Sequence, residues 1–213
     1  MKKTSLLGSK ISGFGRIMLV ALALALSVWA NAGEEGTTVT TVLGKPAPTF
    51  SDLPGTDGKT YGLNSFKDKK VVVVFFSCNH CPWVKAWEDR IVETQKDYAD
   101  KGVAFIAIAP NDDKAIPEDN MENMKKRAAE KKFNFPYVSD ESQKIATEYR
   151  AEFTPEFYVL DEHRVVRYHG KIDDNRNAVK VEHKYLRAAL DAVLAGKAPQ
   201  TPETRAQGCT IKW

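Results

Sequence analysis

The 213-residue chain reads as an α/β protein with a central mixed β-sheet flanked by helices. Three observations carry that reading. Residues 71–76 (Val-Val-Val-Val-Phe-Phe) and 103–109 (Val-Ala-Phe-Ile-Ala-Ile-Ala) lack polar alternation, as strands covered on both faces do. Helically spaced apolar residues follow each of them, which gives a β-α-β-α order and a parallel centre. Two further strands, at residues 156–160 and 165–169, are joined by the tight turn Asp161-Glu162-His163-Arg164, and this closing hairpin makes the sheet mixed.

Residues 1–32 have the layout of a secretory signal peptide. Lys2, Lys3, Lys10 and Arg16 precede an apolar run at residues 17–29, and Ala30-Asn31-Ala32 supplies a small-residue cleavage site. The run is shorter than the ~20 apolar residues of a membrane helix. The expectation is therefore an exported, periplasmic protein that begins at Gly33, with no stable membrane insertion after cleavage. The leader holds four basic and no acidic residues, so the formal charge of +3 for the whole chain becomes −1 without it. A nearly neutral domain lacks the basic footprint of a nucleic-acid binder. The remaining length suits one domain. Three cysteines are too few for a disulfide-stapled scaffold, so a C-x-x-C pair in an oxidising compartment points to catalysis or metal binding.

Residues 33–43 are small and polar and read as a flexible leader, with order beginning near Gly44. Pro46, Pro48, Pro54 and Gly55 punctuate short extended pieces, and Asp57-Gly58 marks a turn between residues 50–53 and 59–63. In residues 82–99, Val84, Trp87, Ile91 and Tyr98 share one helical face, and Pro82 suits a first-turn position. Trp87 reads as core, whereas Trp83 has both a core and a rim reading. The helix from Met121 carries the capping signature Asp119 with Glu122 three residues on. A short helix around residues 143–150 precedes the hairpin. The last helix places Leu186, Ala189, Leu190, Val193 and Leu194 on one side and stops at Gly196. The domain is thus placed at residues 44–196, with a tail at 197–213.

The stretch Cys78-Asn79-His80-Cys81-Pro82 carries the chemistry. A strand that ends at the first cysteine puts its sulfur at a helix start, where free N–H groups and the helix dipole favour a thiolate, the form that attacks disulfides. Cys81 lies one turn on and can displace the mixed disulfide. His80, between them, is expected to stabilise the Cys78 thiolate and make the pair more oxidising, against the plainer reading of an exposed loop histidine. Cys209 is the odd thiol and a candidate third redox group, with Ile211 and Trp213 as anchors that could dock the tail. Asp173 and Asp174 beside Arg176 read as a capped turn with ion pairing rather than a catalytic carboxylate pair.

Gly44-x-Pro46-Ala47-Pro48-x-Phe50, Phe66-Lys67, Phe76-x-Cys78-Asn79-His80-Cys81-Pro82 and Thr154-Pro155-Glu156-Phe157 together resemble the thioredoxin-like redoxins, which include peroxiredoxins and periplasmic disulfide reductases. The similarity is closest to a peroxiredoxin-like (AhpC/TSA-type) branch with C-N-H-C-P, I-D-D-N-R (residues 172–176), L-R-A-A-L-D (residues 186–191) and a terminal G-C-x-I-K-W (residues 208–213). It implies a thioredoxin-like fold with a redoxin-type N-terminal extension, a nucleophilic Cys78, a resolving Cys81, and a cis Thr154-Pro155 step facing them. It also implies thiol and disulfide substrates, protein or small molecule, with an unidentified redox partner and no cofactor. Peroxiredoxins place a threonine three residues before the peroxidatic cysteine and a proline seven before it, where this chain has Phe75 and Val71. Thioredoxins keep a buried acid six before the first cysteine, where Val72 stands. Branch relatives often carry a cysteine before the Thr-Pro step, where this chain has Phe153, which leaves Cys209 as the only other thiol.

The expected function is disulfide exchange through Cys78 and Cys81. Thiol peroxidase activity is one alternative. A copper-binding or delivery protein is another, with Cys78, Cys81 and His163, or with His80 and His169, as soft and imidazole ligands. Covalent haem is disfavoured because Pro82 stands where C-x-x-C-H needs histidine.

Overall fold

The computed structural model describes residues 42–213, which lie within one compact unit. The signal and most of the leader fall outside the described residues. Val42 and Leu43, the last two residues assigned to that leader, pack against the core, and the Gly44 N–H donates to Val166 O.

A short antiparallel pair, β1 (Leu53–Pro54) and β2 (Thr60–Tyr61), leads into β3 (Val71–Phe76), which is buried throughout. Helix α1 (Pro82–Ala99) and strand β4 (Val103–Ala109) follow, then α2 (Met121–Glu130), β5 (Tyr137–Ser139) and α3 (Lys144–Tyr149). Next come β6 (Phe153–Thr154), β7 (Glu156–Leu160), β8 (Val166–Gly170), α4 (Tyr185–Leu194) and β9 (Cys209–Thr210). The main sheet has the order β5-β4-β3-β7-β8. Strands β3, β4 and β5 run parallel, whereas β7 is antiparallel to β3 and β8.

Side-chain alternation along β3 divides the core in two. Val71, Val73 and Phe75 join Trp87 and Ile91 of α1 and Leu186, Ala189 and Leu190 of α4. Val72, Val74 and Phe76 face the other way, onto Ile145, Ala146 and Tyr149 of α3 and onto Phe50, Leu63 and Phe66. Burial of an aliphatic or aromatic side chain of this size contributes ~1.5–3 kcal/mol, so a strand buried on both faces is a rigid base for what its end carries. Asp140 caps α3 by accepting from the Ile145 and Ala146 N–H groups.

Two features differ from the sequence reading. Helix α2 is capped by Asn120, whose side chain accepts from the Asn123 N–H, and not by Asp119. Residues 197–213, set outside the domain as a tail with Ile211 and Trp213 as anchors, lie within the compact unit, with Ile211 buried and Trp213 exposed. The His169 N–H donates to Pro202 O, and the Thr204 N–H to His169 O. Further on β9 pairs antiparallel with β6, and the Ile211 side chain is buried in the second core. Main-chain hydrogen bonds hold the rest of this segment, which its polar composition does not announce.

Candidate active site

Strand β3 ends as the Ser77 N–H donates to Ile108 O, and the chain then turns through residues 78–81 into α1. Cys81 is the N-cap of α1 and Pro82 its first residue, where the missing N–H costs nothing. The opposite wall is the Thr154-Pro155 step, which is cis, at the start of β7. The register pairs Phe76 with Glu156, so the wall stands beside the end of β3 that emits the motif.

Three sulfurs meet there. Cys78 Sγ lies 3.1 Å from Thr154 Oγ1, and Cys81 Sγ lies 3.2 Å from Thr154 O and 2.7 Å from Cys209 Sγ. Cys78 and Cys81 are buried, whereas Cys209 is half-buried and packs with Trp83 against the pair. Five expected site residues, Cys78, Cys81, Thr154, Pro155 and Cys209, are thus in one place.

The surroundings act on the two motif sulfurs in opposite directions. Hydrogen bonding to Cys81, burial and the negative charge of Asp119 push the Cys78 thiol up. Cys81 is pulled down to about 5, first by the hydrogen bond from Cys78, then by Cys209 and the N–H groups of Val84 and Trp83, all against the opposing effect of burial. Burial and the neighbouring Cys81 push Cys209 up to about 12. These influences favour a thiolate on Cys81, at the helix start, over one on Cys78, while the Cys81 contact with Thr154 O is one that Cys81 makes as a thiol donor. Thr154 accommodates the other arrangement too: its hydroxyl can donate to Cys78 as thiolate while its carbonyl accepts from Cys81 as thiol.

Asp119 is the residue the sequence reading missed. Its buried carboxylate accepts from the Asn79 N–H at 2.6 Å, from Asn111 Nδ2 at 2.7 Å, and pairs with His80 Nδ1 at 2.8 Å. His80 is therefore bound to Asp119 rather than to a cysteine, although Cys78 Sγ, a His80 ring nitrogen and an Asp119 oxygen lie within 4.8 Å of one another. Asn79 is fixed further by Glu118 O and the Tyr137 hydroxyl. The signal was present in the sequence, since Asn120 beside Asp119 is itself a good cap and leaves Asp119 free for other work.

The wall has a buried acid of its own. Glu156 accepts from the Glu152 and Phe153 N–H groups, the Tyr158 hydroxyl and His169 Nε2, which fixes the backbone just before Thr154. Burial lowers the His169 pKa, but the hydrogen bonds and charges of Glu156 and Glu203 outweigh it and the net shift is upward.

The proposed metal set of Cys78, Cys81 and His163 does not assemble. Leu160 pairs with Val72, so the turn after β7 that carries His163 is at the far end of β3 from Cys78. His163 is exposed there and lines a cleft with Lys70, Asp161 and Arg167. His169 is engaged by two glutamates. Cys78, His80 and Asp119 are grouped closely enough to ligate, but the Asp119 oxygens are already taken up by the three donors. Asp173 also departs from a surface turn: it is buried, with Trp87 Nε1 and Arg90 on its carboxylate. Trp87 is core, as its spacing suggested, and Trp83 is at the rim beneath Arg176. Among the described residues no helix is long and apolar enough to cross a membrane.

Comparison with known proteins agrees with this geometry. Residues 43–190 match the family model described as Redoxin. The chain is 43% identical to an uncharacterized conserved protein from Geobacillus kaustophilus, whose crystal structure matches with a TM-score of 0.76 over 80% of this chain and 92% of that one. It is 28% identical over 157 residues to the chloroplastic peroxiredoxin Q of Triticum aestivum, covering 70% of this chain and 68% of the relative. The thioredoxin domain of a thiol-disulfide oxidoreductase from Bacteroides vulgatus, 23% identical, shares the fold with a TM-score of 0.50 over 58% of this chain and 84% of that one.

Proposed function

The chain belongs to the Redoxin family, thioredoxin-like redox proteins, and from that premise we propose that it is a thiol-disulfide oxidoreductase working through Cys78 and Cys81. The observation that carries the reading is the placement of both sulfurs against Thr154 at the cis proline step, one on its hydroxyl and one on its carbonyl. When the shared proton passes from Cys78 to Cys81, Cys78 becomes the attacking thiolate. It bonds to one sulfur of a substrate disulfide, and the other sulfur leaves as a thiolate. The proton on Cys81 passes to that departing sulfur, and the Cys81 thiolate then attacks Cys78 Sγ, which closes the motif disulfide and releases the second substrate sulfur as a thiolate. Because Cys78 is buried, a substrate reaches it only after local opening, and the partly buried Trp83 and Cys209, which pack against the cysteine cluster, are the groups placed to move.

Residues 1–32 support export to an oxidising compartment, where such chemistry has disulfide substrates. Phe75 and Val71 disfavour peroxide reduction, and the Asp119 oxygens grouped with Cys78 and His80 are already engaged by hydrogen bonds, which disfavours copper there.

Insulin reduction with a regenerating thiol tests the reading. Cys78→Ser should abolish exchange, and Cys81→Ser should accumulate mixed disulfides with substrate. Equal residual activity in the two variants, or peroxide consumption that outpaces disulfide exchange, would overturn it.

A further inference from the structure

Cys209 is the most accessible of the three thiols, and it faces Cys81 rather than Cys78. The contact of 2.7 Å is ~0.65 Å longer than a disulfide bond of ~2.05 Å. The backbone places it there independently. The register pairs Cys209 with Thr154, the residue whose carbonyl also meets Cys81. Gly208 is what allows this approach, since a Cβ at that position would lie 2.1 Å from Thr154 O. The strand is anchored beyond the cysteine by Ile211, whose N–H donates to Glu152 O, and by Lys212, whose N–H donates to Asn111 Oδ1. Cys81 is fully buried, so the sulfurs that reach it are those of its two neighbours, Cys78 and Cys209.

We propose that Cys209 is the third member of the redox centre and exchanges with the motif disulfide to give a Cys81–Cys209 disulfide. This rests on the disulfide-exchange reading above. Cys209 gives up its proton, and its thiolate attacks Cys81 Sγ. The Cys81–Cys209 bond forms as the Cys78–Cys81 bond breaks. Cys78 departs with the electron pair as a thiolate beside the Thr154 hydroxyl and takes up the proton that Cys209 released. Two sulfurs are oxidised before and after, so no outside oxidant is needed. The oxidised bond has moved from the buried motif to a half-buried strand, and Cys78 is free to meet a further substrate. A thiol reductant then attacks Cys209 Sγ, the sulfur it can reach, and Cys81 leaves as a thiolate. A second reductant thiol releases Cys209. Cys81 can leave as a thiolate because its sulfur sits at the start of α1, where the Val84 and Trp83 N–H groups favour negative charge. The substrate enters at Cys78, and reducing equivalents enter at Cys209.

The test is a disulfide map of the full chain oxidised with glutathione disulfide, quenched in acid, alkylated with N-ethylmaleimide and digested with trypsin. Cys78 and Cys81 share the peptide 71–85, and Cys209 lies in 206–212, so the new bond appears as a cross-link between the two. Expected in the wild type are both the bond within peptide 71–85 and the cross-link, the latter with Cys78 alkylated. Cys78→Ser should raise the cross-linked fraction several-fold, and Cys81→Ser should lower it by roughly tenfold or more, because exchange depends on which sulfurs are in reach. Gly208→Ala keeps all three thiols and should lose the cross-link while retaining the motif disulfide. A cross-link absent from both wild type and Cys78→Ser, or undiminished in Cys81→Ser, overturns the proposal. Should Gly208→Ala fail to fold, the Cys78→Ser arm decides. A wild type that forms the cross-link but neither the motif disulfide nor any insulin reduction would instead sink the exchange reading while leaving the bond itself established.

Discussion

Cys78 and Cys81 leave the end of a six-residue strand whose every side chain is buried, and the loop between them is pinned by Asp119. Cys209 arrives on a two-residue strand whose supports are the ladder to β6, the Ile211 side chain and a few main-chain hydrogen bonds. Both converge on Thr154, the motif sulfurs by contact with its hydroxyl and carbonyl and Cys209 by the strand register that pairs the two residues. The difference is one of stiffness: the motif side inherits the stability of the whole core, whereas the β9 side can open locally at the cost of its own few contacts. An enzyme that must admit a substrate to a buried thiol has use for one fixed wall and one movable one.

The largest effect that would break this comparison is at Cys81, where the two sides touch. Its pKa is pulled down to about 5 from an ordinary 9.0 by hydrogen bonds from Cys78, Cys209 and the helix-start N–H groups, which favours one thiolate in the reduced protein at neutral pH. That thiolate is lost on acidification through about 5. A group depressed in the folded state stabilises the fold above its unfolded value, and that contribution is lost as the pH falls through the folded value. Reduced wild type should therefore lose stability between about 9 and about 5 relative to Cys81→Ser, with ultraviolet thiolate absorbance following the same course. Absorbance that titrates near 9 in the wild type would place the charge elsewhere and remove the reason for Cys81 to be the leaving group.

How much of this was legible in the sequence follows the same division. Strands β3 and β4 and helix α1 were read at their observed bounds, because long apolar runs and a 3.6-residue period leave little choice. Strands β5, β6 and β9 have two or three residues each and carry no period to detect. Their existence depends on partners far along the chain, as Thr154 depends on Cys209. In the site, the two motif cysteines and the cis step were found from a spacing and a resemblance. Asp119 was hidden by a coincidence of frame: Asp119-x-x-Glu122 imitates a cap, while the working cap is Asn120, one residue on. His163 and His169 looked equivalent as hairpin histidines, yet the antiparallel register sends one to each end of the strand pair.

On the movable side, Ile211→Ala removes the side chain that seats β9 in the second core. Truncations of this kind cost ~2–5 kcal/mol, and a two-residue strand with few supports can relax around the gap, so about 2 kcal/mol is expected here. Alkylation of Cys209 and of Cys78 should both accelerate, and the amides of residues 211 and 212 should lose hydrogen-exchange protection while those of β3 and β4 keep theirs. Protection lost equally from β3 would mean that β9 is integral to the core and that both walls are fixed.

The smallest effect sharpens the fixed side. His80→Ala takes one of three donors from Asp119 and leaves Asn79 N–H and Asn111 Nδ2 in place. The His80 side chain is 21% exposed, so water can fill the gap, and the loss should be about 1 kcal/mol, as for one hydrogen bond. The consequence for the chemistry is electrostatic. The Asp119 charge already holds the Cys78 thiol up, and removing a hydrogen-bond donor from that carboxylate leaves its charge less compensated. Cys78 should then ionise at still higher pH in His80→Ala, and at lower pH in Asp119→Asn, where the charge itself is gone. Alkylation rate against pH in a background carrying Cys81→Ser and Cys209→Ser isolates the one sulfur. Shifts of the same sign in the two variants would show that His80 acts on Cys78 directly and that Asp119 merely holds the loop.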